Sequence, residues 1–132
     1  MDRSQSNPLV ISQCHTGDSV VLVLRLNPQL SDFKGHFPSY PILPGVTQID
    51  WAVYFSQRIL GTPTVFAGMD VIKFQEPIQP NQDVQLSLSW NGEKAKLHFC
   101  YTSEDEGNVV THSSGRISLE VAQSPQACIH RG

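Results

Sequence analysis

The sequence predicts a single α+β domain in which a curled antiparallel sheet of five or six strands wraps around one long buried helix. Two observations carry this prediction: several short apolar or alternating segments separated by turn residues, and one segment with helical spacing that is apolar on nearly every side. Such a helix has to be buried on most sides, and a sheet curled around it provides the cover. The 132 residues fit one domain, with a core from about residue 9 to 121 between polar tails.

The predicted strands share an apolar or alternating pattern bounded by turn residues. They are the segments 9–14, 20–26, 64–75, 84–90, 94–101 and roughly 109–121. The first is the weakest candidate. Gly68 lies within the third segment, where it can bend the strand or let another backbone come close. Asn91-Gly92 separates two strictly alternating segments, which predicts a hairpin.

The one segment with helical spacing is 46–60. Pro44 suits the first helical turn, and Gly61 followed by Pro63 provides the stop. Apolar side chains recur along the segment at helical spacing, and two aromatic side chains widen the stripe: Val46, Ile49, Trp51, Ala52, Val53, Phe55, Ile59 and Leu60. The pattern therefore predicts a helix with an apolar surface on almost all sides.

Composition and charge argue against several classes of function. The net charge is −3 and no basic stripe is present, so nucleic-acid binding is not expected. No apolar run reaches the roughly 18 residues that a membrane span needs, and the N-terminus is polar, so a cytoplasmic location is expected. Three widely spaced cysteines do not indicate a disulfide framework, and the Cys–His neighbours lack the spacing of a metal site. His98 and His112 fall in predicted strands, where structural or surface roles are expected.

The segment GHFPSYPILPGVTQID, residues 35–50, carries the strongest functional pattern. Pro38, Pro41 and Pro44 restrict the backbone that follows His36, so the loop holds its neighbours still with little loss of entropy on folding. Such a loop would hold a catalytic histidine in a fixed position. The alternative is a packed loop in which the histidine has no chemical role.

Two further residues of this segment point to chemistry. Gly45 lies in the first turn of the predicted helix, where unpaired N–H groups could bind a carbonyl oxygen that develops negative charge. The alternative is that this glycine only eases the turn from loop to helix. Asp50 lies about six residues further along, between two apolar residues, where burial would raise the pKa of its carboxyl group and suit it to general-acid catalysis. A structural aspartate is the alternative there.

Residues 35–52 resemble the active-site segment of the β-hydroxyacyl-ACP dehydratases of fatty-acid synthesis, the hotdog-fold FabA/FabZ group. That family has a GHFPxxPxxPGV loop followed by a helix with a catalytic Glu or Asp. The matching residues here are His36 and, fourteen positions later, Asp50. A second block, FAGMDVIKFQEPIQPNQD at 66–83, is similar to the family's FAGIxxxRFxxPVxPGD strand and turn. The resemblance covers roughly residues 15 to 121, and LPGVTQIDWA is most similar to the small dehydratases of aryl-polyene biosynthetic clusters.

The sequence departs from the family pattern in three places. Tyr54 stands one helical turn after the acid, where the family often has a glutamine that can hydrogen-bond the carboxyl group. Asn81 replaces the glycine of the PGD turn. Ser39 and Tyr40 replace a more usual glycine-containing pair beside the loop, which would reshape the mouth of the substrate tunnel.

The resemblance implies a lyase, a 3-hydroxyacyl-[acyl-carrier-protein] dehydratase of fatty-acid or aryl-polyene lipid metabolism that forms a trans-2-enoyl thioester. In this scheme His36 removes the C2 proton, Asp50 protonates the departing C3 hydroxyl, and the Gly45 N–H binds the thioester carbonyl. Residues implied to line the tunnel or support the acid are Phe37, Ile42, Tyr54 and Phe66. No metal or redox cofactor is expected, and the substrate is carried on the phosphopantetheine of an acyl carrier protein.

The resemblance also implies partners. A homodimer is expected in which the histidine of one chain faces the acid of the other, and both a higher assembly and pairing with a related dehydratase subunit stay open. An acidic acyl carrier protein would contact basic residues, for which Lys34, Arg58 and Lys73 are the candidates; no nucleic-acid or membrane partner is expected. Two alternatives remain: a hotdog thioesterase, against which the His–acid pair argues, and a non-catalytic acyl-thioester binding module, which would not need both His36 and Asp50.

Overall fold

The computed structural model describes residues 8–26, 42–79 and 82–121. Along the chain they form β1 (Leu9–Thr16), β2 (Ser19–Arg25), α1 (Gly45–Phe55) with a π-helical extension (Ser56–Leu60), β3 (Val65–Phe74), β4 (Asp83–Asn91), β5 (Lys96–Asp105) and β6 (Asn108–Glu120). The predicted α+β class, the six strands and the helix are therefore confirmed. No helix of the described ranges is long and apolar enough to cross a membrane.

All six strands belong to one antiparallel sheet in the order β1-β2-β4-β5-β6-β3. The two edge strands of the sheet are therefore β1 and β3. Although β3 follows the helix directly in sequence, it pairs with the last strand, β6. The helix thus lies within the connection between β2 and β3. These two strands belong to opposite halves of the sheet, since β2 is next to the β1 edge and β3 is the other edge.

The core lies between α1 and one face of the sheet. From the helix, Trp51, Ala52 and Phe55 are buried. The strands contribute alternate side chains to the same cluster: Val20, Leu22, Leu24, Val84, Leu86, Leu88, Leu97, Phe99, Tyr101, Ile117 and Leu119. The period-two pattern of the sequence therefore identifies the face of each central strand that packs on the helix.

The predicted hairpin joins β4 and β5, but its turn is longer than the Asn91-Gly92 pair suggests. Asn91 pairs with Lys96, so residues 92–95 form the turn. The Asn91 side-chain oxygen accepts a hydrogen bond from the Lys94 N–H at 3.2 Å. Ala95 completes the turn in a left-handed conformation, with φ of 54°. The asparagine therefore organises a four-residue turn through its side chain.

The buried face of α1 differs from the predicted apolar stripe. Val46 is 74% exposed, and the polar residues Thr47 and Gln48 are buried instead. Asp50, one helical turn after Val46 and on the same face, is also exposed. Within α1 only Val46 and Asp50 are exposed, so the expectation that the helix is buried on most sides is confirmed, with this one face as the exception. The predicted end of the helix is confirmed, since Gly61 adopts φ of 69° just after the π-helical extension.

A bulge in β6 lies near the N-terminus of α1. Tyr101 pairs with Ser113 and Thr102 pairs with Thr111, so His112 is an extra residue in β6. Both His112 and Ser113 are buried, whereas neighbours in a regular strand point to opposite faces. The bulge therefore turns two consecutive polar side chains into the interior.

The edge strand β3 is also irregular. Its register with β6 shifts between Phe66 and Gly68 and again between Asp70 and Lys73. Gly68 has φ of 150°, which confirms the predicted irregularity at this glycine. The strand is tied across β6 to β5 by Lys96, whose Nζ donates to Asp70 at 2.8 Å.

Candidate active site

The N-terminus of α1 opens on a cavity of about 330 Å³. One side of the cavity is the end of β3 with the segment that follows it, represented by Phe74. The other side is the entrance to the helix, including Ile42 and Gly45. Gln48 and His112 add polar groups to a mostly apolar wall. The cavity therefore unites two of the residues that the resemblance implicates, Ile42 and Gly45.

Gly45 is distinguished by a close side-chain contact rather than by its backbone conformation. Its φ is not in the left-handed region. A Cβ atom at this position would lie 2.7 Å from Cζ and 2.8 Å from Cε1 of Phe74. The ring of the edge strand therefore packs directly on the glycine. The ring would therefore have to move for any larger residue at position 45.

The first turn of α1 has the polarity expected of an oxyanion site. Pro44 is the N-cap, and no side chain caps the helix. The Pro44 carbonyl accepts from the N–H groups of Thr47 at 3.1 Å and Gln48 at 3.2 Å. The first N–H groups of a helix have no partner within the helix and carry its partial positive charge. A carbonyl oxygen in the cavity could therefore accept from Gly45.

The sequence suggested that Asp50 is buried, but the structure shows otherwise. It is exposed in the described chain and does not line the cavity. Its charge nevertheless acts on the interior: burial and, to a smaller extent, the negative charge of Asp50 raise the pKa of the Tyr101 hydroxyl well above its ordinary value. Asp50 thus lies at the boundary between the core and the exposed face of the helix that also carries Val46.

The aromatic residue after the acid packs against its helical neighbours. The Tyr54 ring meets Phe55 edge-on, with ring centroids 5.1 Å apart. The Arg58 guanidinium carbon lies 5.2 Å from the centroid of the Tyr54 ring. This cation–π contact holds the exposed Arg58 on the helix surface. Tyr54 does not line the cavity.

Two further candidates within the described residues, Phe66 and Lys73, do not line the cavity. Phe66 and Lys73 lie exposed on β3. Lys34, His36 and Phe37 lie outside the described residues.

A buried polar network that sequence analysis did not select surrounds the start of the helix. The Gln48 side chain donates from Nε2 to the Leu43 carbonyl at 3.2 Å and accepts at Oε1 from Ser113 Oγ at 2.6 Å. The Tyr101 hydroxyl donates to the Gln48 carbonyl at 2.6 Å. Gln48 could have been noticed, because it is a polar residue on the same helical face as Trp51 and Ala52. The sequence contains no comparable indication for Ser113, since only the bulge turns it inward.

His112 belongs to the same region. Its Nδ1 bonds the Glu76 carbonyl at 2.9 Å, so this nitrogen carries a proton, and its Nε2 bonds Ser103 Oγ at 2.7 Å. The histidine thereby joins the bulge of β6 to β5 and to the segment after β3. The structural role expected for His112 agrees with this placement. Within residues 8–26, 42–79 and 82–121, no group of three His, Cys, Asp or Glu side chains is placed to hold a metal ion.

Comparison with known protein sequences identifies the family. Residues 12–116 match the ApeI-like family model, described as ApeI dehydratase. The 3-hydroxyacyl-[acyl-carrier-protein] dehydratase FabZ of Erythrobacter litoralis is 30% identical over 104 residues, which cover 70% of this chain and 67% of that protein. FabZ of Koribacter versatilis is 36% identical over 76 residues, or 49% of each protein. The chain thus spans between about half and two thirds of the length of these relatives.

Solved structures agree with this result. The dehydratase heterocomplex ApeI:P from Xenorhabdus doucetiae contains a chain that is 34% identical, with a TM-score of 0.76, covering 85% of this chain and 96% of that one. The dehydratase domain from the terminal module of the rifamycin polyketide synthase is 18% identical with a TM-score of 0.64, which shows a shared fold. The predicted hotdog fold and the predicted resemblance are therefore confirmed, and the chain belongs to the ApeI-like dehydratase family.

Proposed function

We propose that this chain is a lyase that dehydrates a 3-hydroxyacyl thioester carried by acyl carrier protein, in fatty-acid or aryl-polyene biosynthesis. The observation that carries the proposal is that Gly45, in close contact with the Phe74 ring, lines a cavity of about 330 Å³ at the N-terminus of α1 in a chain of the ApeI-like dehydratase family. Relatives named 3-hydroxyacyl-[acyl-carrier-protein] dehydratase support the substrate class. The proposed chemistry uses side chains and backbone only, and the enzyme acts in the cytoplasm.

The reaction begins when the thioester carbonyl oxygen accepts from the Gly45 N–H. This interaction stabilises the enolate character that develops as His36 removes the C2 proton, and one such donor is typically worth about 2.7–4 kcal/mol. Protonated Asp50 gives its proton to the C3 hydroxyl, the C3–O bond breaks, water leaves and a trans-2-enoyl thioester remains. Return of the proton from His36 to Asp50 through solvent resets the site.

A homodimer would cover the exposed apolar residues of β3 and bury Asp50, neither of which the single chain does. In the described sheet β3 is an edge strand, and its apolar side chains are exposed: Val65, Phe66, Met69, Val71 and Phe74. Exposed apolar edges are covered in native proteins, and pairing of two β3 strands would cover this one. The face of α1 with Val46 and Asp50 would then also be shielded. Asp50 would acquire the burial that a general acid needs, opposite His36 of the second chain.

The catalytic assignment is tested by two substitutions, His36→Ala and Asp50→Asn. The purified variants are incubated with 3-hydroxyacyl-ACPs of varied chain length, and the loss of water is followed by mass spectrometry. Each variant should fold like the wild type, as judged by circular dichroism, and lose most of its dehydration activity. Activity close to wild type in either variant would remove that residue from the mechanism. Release of free carrier thiol by the wild type, without an enoyl product, would identify a thioesterase instead.

Mixing the two inactive variants tests the shared site. If each site takes His36 from one chain and Asp50 from the other, a mixed dimer contains one intact site and one doubly damaged site. Random exchange makes half of the dimers mixed, so activity should return to about a quarter of wild type. The mass of the assembly is measured in parallel, with a dimer expected. Proven subunit exchange without recovery would exclude a shared site.

The acyl carrier protein is expected to meet basic residues near the entrance to the site. Lys34 lies two residues before His36, whereas Arg58 is held on Tyr54 and Lys73 is exposed on β3. Lys34→Glu should raise KM for the carrier-bound substrate more than for a short pantetheine thioester. Lys94→Glu, an exposed change in the β4–β5 turn, is the matched control. Equal effects of Lys34→Glu on both substrates would exclude this contact.

A further inference from the structure

We propose that Gln48 is a positioning residue that fixes the direction of the Gly45 N–H, with Ser113 in the β6 bulge as its anchor. Both ends of the Gln48 amide are used, one toward the Leu43 carbonyl and one toward Ser113. Gln48 is only 4% exposed. The inference rests on the proposed function in one respect, that a thioester carbonyl is the ligand of this N–H.

The first step of the argument concerns Leu43. Its N–H donates to the Ile78 carbonyl at 2.7 Å, and its own carbonyl accepts from Gln48 at 3.2 Å. Both polar groups of the Leu43 backbone are thus held from opposite sides. Pro44 follows directly, and its ring fixes φ. The chain therefore enters the helix through two residues that have little freedom to rotate.

The second step concerns the peptide plane between Pro44 and Gly45. The Pro44 carbonyl and the Gly45 N–H belong to the same planar unit and point in opposite directions. The carbonyl accepts from the N–H groups of Thr47 and Gln48. Whatever fixes the Pro44 carbonyl therefore fixes the Gly45 N–H. Gln48 acts on this plane directly through its own N–H, and on the preceding Leu43–Pro44 peptide through its side-chain bond to the Leu43 carbonyl.

The third step explains why the anchor lies in β6. Ser113 is fully buried and 65 residues away in sequence, so it belongs to a different layer of the fold. The neighbouring bulge residue, His112, is held between Glu76 and Ser103. Tyr101 of β5 adds a bond to the Gln48 carbonyl. The sheet thus sets the position of Gln48, and Gln48 sets the entrance to the helix.

An apolar side chain would fill the same space, but it would leave the Leu43 carbonyl and the Ser113 hydroxyl without this partner. A network that only stabilises the fold would affect unfolding and leave the direction of the Gly45 N–H unchanged. The two roles therefore differ in what happens to a bound carbonyl group. That difference can be measured without turnover.

The test uses Gln48→Met, which keeps the length of the side chain and removes both hydrogen bonds. A saturated acyl-pantetheine thioester, which has no 3-hydroxyl and does not react, is bound to each protein, and its carbonyl stretch is recorded by difference infrared spectroscopy. The wild type should shift the stretch to lower frequency, and Gln48→Met should lose most of that shift. With 3-hydroxyacyl-ACP, kcat should fall about tenfold or more while KM changes less than about threefold.

Two further variants separate positioning from stability. Ser56→Ala removes a different buried hydrogen bond, to Thr62 at 3.0 Å, near the opposite end of the helical segment; it should lower stability and leave both the carbonyl shift and kcat unchanged. Gln48→Glu should restore the carbonyl shift at low pH, where the neutral acid still donates to Leu43, and lose it as the carboxyl group ionises. If Gln48→Met does not fold, Ser113→Ala is used, with a smaller loss of the shift expected.

The outcomes distinguish this inference from the proposed function. An unchanged carbonyl shift and kcat in folded Gln48→Met, with an active wild type, would overturn the positioning role alone. A wild type that binds the thioester with a shifted carbonyl but forms no enoyl product would overturn the proposed function, and loss of that shift in Gln48→Met would still support the positioning role. A wild type that binds no acyl thioester would overturn both.

Discussion

Replacement of Gly45 by alanine is the sharpest steric test of the cavity. The new Cβ would lie 2.7 Å from Phe74 Cζ. An ordinary contact begins at about 3.4 Å, so the tip of the ring has to move by roughly 0.7 Å. Phe74 is 53% exposed on an edge strand and can yield. An off-rotamer side chain costs about 0.5–1.5 kcal/mol, whereas Ala is favoured over Gly within a helix by about 0.8–1.0 kcal/mol.

These two terms nearly cancel, so the free energy of unfolding of Gly45→Ala should stay within about 1 kcal/mol of wild type. Activity should respond differently, because the methyl group stands beside the N–H that binds the thioester carbonyl. A misplacement of this size can cost about 10²-fold, and kcat/KM should fall by roughly that factor. Gly92→Ala is the matched control, since its Cβ would meet only Trp90 Nε1 at 3.6 Å.

The assay combines urea unfolding with dehydration kinetics on 3-hydroxyacyl-ACP. The double variant Gly45→Ala/Phe74→Ala removes the steric conflict but keeps the methyl group, and its activity should stay low. Recovery of activity in the double variant would assign the loss to the displaced ring instead. Wild-type activity in Gly45→Ala would refute the reasoning, because it would show that no ligand approaches the backbone closely at this position.

Three further predictions concern stability. Gly115→Ala should lower the free energy of unfolding by about 1–3 kcal/mol, because its Cβ would overlap the Ile72 side chain and lie 3.2 Å from the Ile72 Cα; an unchanged urea midpoint would contradict this. The pKa of Tyr101 is raised in the folded state, so this residue makes wild-type stability fall as pH rises above about 10, where the unfolded chain ionises first; Tyr101→Phe should lack that component, and an equal decline in both proteins would argue against it. Lys96 lowers the pKa of Asp70, so the stability that this pair provides should be present near neutral pH and be lost as pH falls below about 4. Asp70→Asn should therefore differ from wild type near pH 7 and converge with it in acid, and a gap that persists at low pH would exclude this explanation.

The sequence was sufficient to predict the strands and the helix, because the patterns that indicate them are local. Alternation in the segments at 84–90 and 94–101 named the buried faces of β4 and β5, and the proline and glycine at either end bounded the helix. Local patterns were less reliable for the residues of α1 that are buried. Helical spacing counts apolar residues without knowing which side meets the sheet, so it favoured Val46 and overlooked Gln48.

For the candidate site, the sequence by itself determined the residues that are neighbours along the chain: the proline-braced loop, Gly45 in the first helical turn and Asp50 further along the same helix. Only the tertiary structure decided that Phe74 packs on Gly45, that Asp50 is exposed in one chain and that Gln48 is tied to Ser113. The physical reason is distance along the chain. Ser113 turns inward because of a bulge in β6, and a bulge depends on how two strands pair rather than on the local pattern of either one.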